Sequence, residues 1–371
     1  MFFRRRRKAA SYRSPSQVER ALGVGIRVVG VGGGGGNAVS RMVSGNLAGV
    51  RYLVLNTDIQ ALRGFRSVPT FAIGPNTTGG MGSGGQPTVG RKAMRESQKD
   101  VSKLLEGADM VFVAVGMGGG TGTGAASLVA DLARKAGALT VGVATLPFSF
   151  EGPRRRENAE EGLKTFQQKV DTLIVVENDR LLPALDGNIE LERAFKLADD
   201  VLHQGVCGIS DIVTMNGMIN VDFADVKAIM SNGGAAFMAM GSGQGNDAAS
   251  QAAQVALSNP LFDMPLEGAK GILLNIVGGP DLTLGEVHQV AEIIKDAASA
   301  DANVIFGVVQ DKQMRRKVSL TLVGTGIQRP GAMHNSEFSD DVPLSITGAS
   351  PVGASVNGHA QVPVMDMKPL F

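Results

Sequence analysis

The chain has one cysteine, Cys207, no tryptophan and two tyrosines in 371 residues. A single thiol excludes a disulfide framework and a cysteine-built zinc site, and points to a reducing compartment. The scarcity of Trp and Tyr argues against a stacking platform for single-stranded nucleic acid. Charges nearly cancel, at net +1, so no global field gathers nucleic acid. No apolar run approaches the roughly 18 residues that span a bilayer. Met1-Phe2-Phe3 leads straight into Arg4-Arg5-Arg6-Arg7-Lys8 with no apolar core behind the charges, so no secretory leader is expected. No G-x-x-x-x-G-K-[ST] occurs, which excludes a P-loop. With 43% hydrophobic and 19% charged residues, the chain reads as globular and long enough for two cores.

Glycine is plentiful where it matters. Gly116-Met117-Gly118-Gly119-Gly120-Thr121-Gly122-Thr123-Gly124 holds six glycines in nine residues, between a strand (Asp109 to Val115) and a helix (Ala125 to Ala136). Each glycine costs about 0.5–1 kcal/mol against alanine in regular structure, so the stretch gives up on the order of 3–6 kcal/mol. A tight turn would need only one or two. Bare N–H groups at a strand-to-helix turn suit an anion, and Gly118, Gly119, Gly120 and Gly122 with the hydroxyls of Thr121 and Thr123 are expected to receive phosphate.

Two more glycine loops follow strands. Ile26 to Gly30 leads into Gly32–Gly36 and Asn37, then a helix through Met42. The strand Val68 to Ile73 leads into Gly79 to Gly85, then a helix from Pro87 to Leu105. Three such loops on one edge of a parallel sheet suit a triphosphate better than a pyrophosphate. None contains lysine, so phosphate charge must meet backbone N–H groups, helix ends and a metal ion. Gly30-x-Gly32-x-x-Gly35 with Asp58 also matches the dinucleotide fingerprint, which keeps a nicotinamide enzyme as a rival.

Further along, Glu151 and Arg155 follow a strand end (Thr140 to Thr145), placed to meet ribose and phosphate. Asn178 follows the strand Leu173 to Val176. An amphipathic helix runs from Glu190 to Ile212, with Phe195 and Asp199 one turn apart. A ring to stack and a carboxylate to accept two N–H groups is what guanine needs and adenine does not match. Asn220-x-Asp222-x-x-Asp225 opens another helix; on spacing alone Asp222 is an N-cap and nothing more.

Together these stretches resemble the FtsZ family of bacterial tubulin-like cell-division GTPases. The likeness runs through Gly30 to Asn37, Asn56-Thr57-Asp58, Gly116 to Gly124, Phe150-Glu151-Gly152, Asn178-Asp179-Arg180-Leu181, Gly205 to Asp211 and Asn220 to Val226. It covers about residues 24 to 327. It implies an α/β fold: a Rossmann-like GTPase domain (23–189), a long central helix (190–213) and a smaller α+β C-terminal domain (214–327). It implies GTP or GDP with Mg²⁺ held mainly by the phosphates. Gly33, Gly34, Gly35, Gly36, Asn37 and Gly120-Thr121-Gly122 would hold nucleotide, Glu151 ribose, Arg155 phosphate, and Asn178 and Asp199 guanine under the Phe195 ring. Asn220, Asp222 and Asp225 would form the loop that completes the next subunit's active site in a head-to-tail protofilament. The departures are Asn216, where the family usually has proline before Gly217, and Glu177, which replaces a proline before Asn178.

The rest is expected to serve that role. Residues 1–22 read as a flexible basic arm, favoured over a membrane contact. Residues 328–360 read as a disordered linker. Residues 361–371 resemble the terminal peptide that docks membrane-tethering division adaptors. The implied setting is the cytoplasmic division ring at mid-cell, with no nucleic acid partner. A GTP-binding filament that hardly hydrolyses is the alternative.

Overall fold

The computed structural model describes residues 23–327, apart from 45, 46, 48, 185–189, 215, 216 and 260–265. The expected basic arm, linker, terminal peptide and Asn216 departure all lie outside the described residues.

Six strands pair in parallel: β1 (Ile26–Val31), β2 (Val50–Asn56), β3 (Thr70–Ala72), β4 (Met110–Gly116), β5 (Leu139–Leu146) and β6 (Thr172–Glu177). Their spatial order is 3-2-1-4-5-6, so the sheet changes winding direction between β1 and β4. Every residue of β5 is buried, as a strand covered on both faces requires.

Helices alternate with these strands: α1 (Gly32–Ser44), α2 (Ile59–Gly64), α3 (Pro87–Glu96), α4 (Gln98–Leu105), α5 (Gly120–Lys135), α6 (Pro153–Gln167) and, after β6, the long α7 (Leu191–Thr214). α1 and α7 bury Ala38, Met42, Leu202 and Val206 against one face of the sheet. α3 to α6 bury Met94, Leu105, Val129 and Phe166 against the other.

α7 spans 24 residues, about 36 Å at 1.5 Å per residue. Its buried stripe is Ala194, Ala198, Val201, Leu202, Val206, Ile209 and Ile212, the spacing of a one-sided helix. It begins at the carboxyl edge of the parallel strands, where Phe195 meets Phe148. It ends over the start of β2, where Asp211 and Cys207 face Tyr52. Burial, with these neighbours adding to it, pushes the Tyr52 phenol up to about 12.

Beyond α7 come α8 (Phe223–Met230), β7 (Gly234–Gln244), α9 (Ala248–Leu257), β8 (Gly271–Gly278), α10 (Leu284–Ala297), β9 (Asn303–Gln310) and β10 (Lys317–Thr325). β7 joins β6 through Thr172 to Ile174, and the sheet continues β7-β10-β8-β9. β10 is antiparallel to both neighbours. α9 and α10 cover this part with a core of their own that includes Ala252, Leu274, Ile294 and Leu320. α7 reaches this part through small residues. A Cβ on Gly205 would stand 2.8 Å from Met238, and one on Gly208 2.4 Å from Thr321.

Two elements differ from the sequence reading. The strand expected over Val68 to Ile73 is only Thr70–Ala72. The single helix expected from Pro87 to Leu105 breaks at Ser97. The buried Ser97 hydroxyl accepts from the Gly74 N–H at 2.9 Å, a contact from outside the helix that no local periodicity reveals. Glu96, beside it, accepts from Thr77 and Asn76, which holds its carboxyl below the ordinary range.

Ser97→Ala leaves the Gly74 N–H buried without a partner. The expected loss is about 1–3 kcal/mol, read as a lower midpoint in urea at an unchanged m-value.

Candidate functional site

Five loops gather at the carboxyl edge, after β1, β2, β4, β5 and β6, and the Gly79–Gly85 loop joins them. α1 starts directly after β1, so Gly32–Gly36 form its first turns and not a loop ahead of it. α5 has Gly119 as its N-cap, with no side-chain cap and no acidic residue in its first turn. Neither first turn carries an acidic residue, and both helix starts carry partial positive charge.

The glycines divide by what surrounds them. A Cβ on Gly35 would stand 2.2 Å from the Ala114 carbonyl, one on Gly122 2.9 Å from that of Gly116, and one on Gly124 2.1 Å from that of Pro87. These are bare so that helices can touch strands and one another. Gly118 has φ +97 and lies under the Arg155 stem. Among the glycines of the turns after β1 and β4, Gly33 and Gly119 alone have ordinary φ and a Cβ direction with nothing within 4 Å. Packing explains the others; open space in front of the two helix starts is what remains for a ligand. Of the four glycines of this turn expected to receive phosphate, Gly118, Gly120 and Gly122 have close neighbours in their Cβ directions, and Gly119 faces open space.

The threonine hydroxyls also differ from expectation. Thr123 Oγ1 accepts from the Gly118 N–H at 2.8 Å. Thr121 Oγ1 sits 2.6 Å from Thr57 Oγ1 and 3.0 Å from Ser83 Oγ. This buried trio ties together the loops after β2, β3 and β4. The hydroxyls brace the turns.

Glu151 and Arg155 are joined to each other at 3.0 Å, and Glu151 Oε1 accepts from the Phe148 N–H at 2.9 Å. Phe148 stacks on Phe150 at 5.1 Å, and Phe195 meets both edge-on. Phe148 is buried, whereas Phe150 is 58% and Phe195 37% exposed, which leaves apolar ring surface open at the site. Asn178 is buried beside them, and its Oδ1 has no hydrogen-bond partner. An orphaned buried acceptor fits a ligand that donates N–H. Asp199 lies 3.4 Å from Arg41. Burial pushes its carboxyl up to about 6 against the pull of Arg41, and Asp200 adds to the rise. Glu177, at the departure position, pairs with Arg180 at 3.4 Å.

Sequence reasoning missed Arg41, although it stands one helical turn beyond Asn37 on the same face of α1. It missed Phe148 and the hydroxyl trio as well. Asp58, the acidic residue of the dinucleotide fingerprint, is the N-cap of α2 and accepts from Gln60 and Ala61 N–H groups. It is committed to the fold, which removes the main support for a nicotinamide enzyme.

Asn220, Asp222 and Asp225 stand apart from all of this, near the end of α7 away from Phe195. Phe195 and Thr214 are about 28 Å apart along that helix. Asp222 is the N-cap of α8, but its carboxylate accepts from no helix N–H, contrary to the capping expectation. Asp222 and Asp225 are both exposed. α8 ends beside Thr172, the first residue of β6, whose hydroxyl donates to the Met230 carbonyl. The two acids therefore lie at the amino edge of the sheet, and the glycine turns lie at the carboxyl edge.

Among the described residues no group of three His, Cys, Asp or Glu side chains is arranged to hold a metal ion. Among the described residues no helix is long and apolar enough to cross a membrane.

A family model for the GTPase domain of the Tubulin/FtsZ family matches residues 25–186, and one for the C-terminal domain of the FtsZ family matches 234–328. An empty FtsZ dimer from M. jannaschii is 40% identical, with a TM-score of 0.79, over 85% of this chain and 93% of that one. Two Haloferax volcanii structures share the fold. CetZ2, as a GTPγS-bound protofilament, has 22% identity and a TM-score of 0.70 over 82% of this chain and 94% of that one. CetZ1, as a GDP-bound monomer, has 23% and 0.72 over the same shares.

Gly119→Ala is expected to leave the melting temperature near wild type and to weaken GTP binding, because its methyl group enters open space. Gly124→Ala is expected to cost about 1–3 kcal/mol of stability through overpacking. Thermal melts beside fluorescent-nucleotide titrations separate the two.

Proposed function

The chain belongs to the FtsZ family of tubulin-like GTPases, and from that premise we infer that it polymerises head to tail and hydrolyses GTP between subunits. One observation carries this reading: the exposed pair Asp222 and Asp225 stands at the opposite edge of the sheet from the glycine turns. About 28 Å of α7 separates Phe195 from Thr214, so the acids stand far from their own molecule's glycine turns. A second copy docked amino edge to carboxyl edge brings its acids to those turns. Such a contact is heterologous and propagates into a filament.

The glycine turns and the starts of α1 and α5 hold the triphosphate through main-chain N–H groups. Glu151 and Arg155 reach ribose and phosphate. Asn178 Oδ1 and the Asp199 carboxylate accept from guanine while Phe195 and Phe150 cover the ring. Asp222 and Asp225 of the neighbouring subunit orient and polarise the attacking water. A magnesium ion carried mainly by the phosphates would supply charge neutralisation at this site. Hydrolysis weakens the contact that made it possible, so the polymer turns over. The FtsZ likeness supports a cytoplasmic division ring at mid-cell as its setting, with residues 361–371 as the docking peptide for membrane-tethering adaptors.

Asp225→Ala should bind GTP and form sedimentable polymer yet lose most phosphate release, and wild-type activity per molecule should rise with protein concentration. Wild-type turnover by that variant, or activity that stays flat on dilution, would overturn the shared site.

A second expectation concerns pH. The Asp199 carboxyl titrates near 6 in the folded protein, and guanine needs the ionised form. Affinity for GTP is therefore full above that value and falls as pH drops through it, by up to about tenfold per unit. Asp199→Asn should bind more weakly at neutral pH and lose this dependence between pH 5 and 7, as measured by titration calorimetry.

A further inference from the structure

The segment that carries the acids is fastened to the edge strand β9. Met218 and Ile219 N–H groups donate to the Val308 carbonyl at 2.8 and 3.3 Å, and the Val308 N–H donates to the Ile219 carbonyl at 3.0 Å. Ile219 and Val308 form an isolated antiparallel bridge. Gly217 lies against the same carbonyl, where a Cβ would stand 2.2 Å from Val308 O. Buried Val221 packs over Gly307, its Cγ2 only 3.3 Å from the place of a Cβ there. Both sides of this contact are therefore kept small or bare.

Asn220 closes the turn. Its Oδ1 accepts from the Gly217 N–H at 2.6 Å, so the side chain reaches back along its own segment, away from the acids. The geometry parallels the returning side chain of a helix capping box, which fixes the direction in which a chain enters a helix. Downstream, Val226, Ile229 and Met230 anchor α8 in the core. Asp222 and Asp225 thus sit between two fixed points. The bridge with its Asn220 closure is one, and the buried face of α8 is the other. A loop without that closure would let both carboxylates swing.

We propose that Asn220 is a positioning residue for hydrolysis in the next subunit: its carboxamide oxygen holds the turn that aims Asp222 and Asp225, and it touches neither water nor nucleotide. This rests on the shared-site reading above. The relevant atom is the acceptor oxygen, and a carboxylate at the same position supplies one.

The test compares Asn220→Ala, Asn220→Asp and Gly217→Ala in the full chain, with Asp225→Ala as the reference. It measures kcat, KM for GTP and sedimented polymer. Asn220→Ala and Gly217→Ala should each lose about 10- to 100-fold in kcat, the scale of an ångström-sized misplacement, with KM and polymer mass near wild type. Asn220→Asp should keep most of the wild-type kcat, because it still accepts from the Gly217 N–H. If Asn220→Asp is as slow as Asn220→Ala, the lost amide NH₂ acts on water or nucleotide directly, and the proposal is overturned. Wild-type kcat in Gly217→Ala beside a slow Asn220→Ala overturns it too, because the turn would not matter. Normal turnover by Asp225→Ala removes the shared-site reading itself, and the proposal with it, whatever the Asn220 variants do.

Discussion

The structure depends on how closely backbone can approach backbone at the carboxyl edge of the parallel sheet. α1 rests on β1 and β4 because Gly35 has no Cβ to strike the Ala114 carbonyl, and α5 meets the segment from Gln86 to Arg91 because Gly120 and Gly124 are bare. That approach brings the two helix starts side by side. The space in front of Gly33 and Gly119 is open, and the three glycine loops contain no lysine or arginine. A triphosphate in that volume is neutralised by main chain, by helix ends and by whatever cation it carries. The glycines first build the packing, and the anion site is a consequence of it.

The second constraint is length. α7 runs from the aromatic cluster at one edge of the sheet to the acids at the other, and its small residues Gly205 and Gly208 let it lie against β7 and β10 as well as the parallel strands. A helix packed along both parts of the sheet is a spacer of fixed length. It keeps Asp222 and Asp225 away from the glycine turns of their own chain, and under the proposed shared site the monomer is a binder with an incomplete catalytic set.

Much of this was legible in the sequence. The α/β class, the parallel strands and the glycine turns follow from periodicity and from the positions of glycine after apolar runs. Phe195 and Asp199 were readable as neighbours because helical spacing places them one turn apart. The unreadable parts are contacts between residues far apart in the chain. Arg41 meets Asp199 from a different helix. Ser97 breaks a helix to serve Gly74. Thr57, Ser83 and Thr121 join three loops, and Val308 fastens the acid segment. Composition at any one of these positions carries no sign of its partner. Spacing also misled at Asp222, which occupies the N-cap position while its carboxylate stays out of the cap.

Electrostatics explains why such a division of labour is stable. Two unit charges at 4 Å repel by about 1 kcal/mol in water and about 4 kcal/mol at the effective dielectric of a protein surface. Two aspartates fixed beside a bound triphosphate would therefore oppose nucleotide binding in every free monomer. On the far edge they are solvated and oppose nothing. In the proposed head-to-tail contact the same repulsion would enter the interface and would have to be offset by a cation on the phosphates and by apolar surface closed off around it. In the proposed shared site the contact is thereby tied to the phosphate state of the nucleotide it covers, because the charges that would press the two faces apart are those proposed to prepare the water.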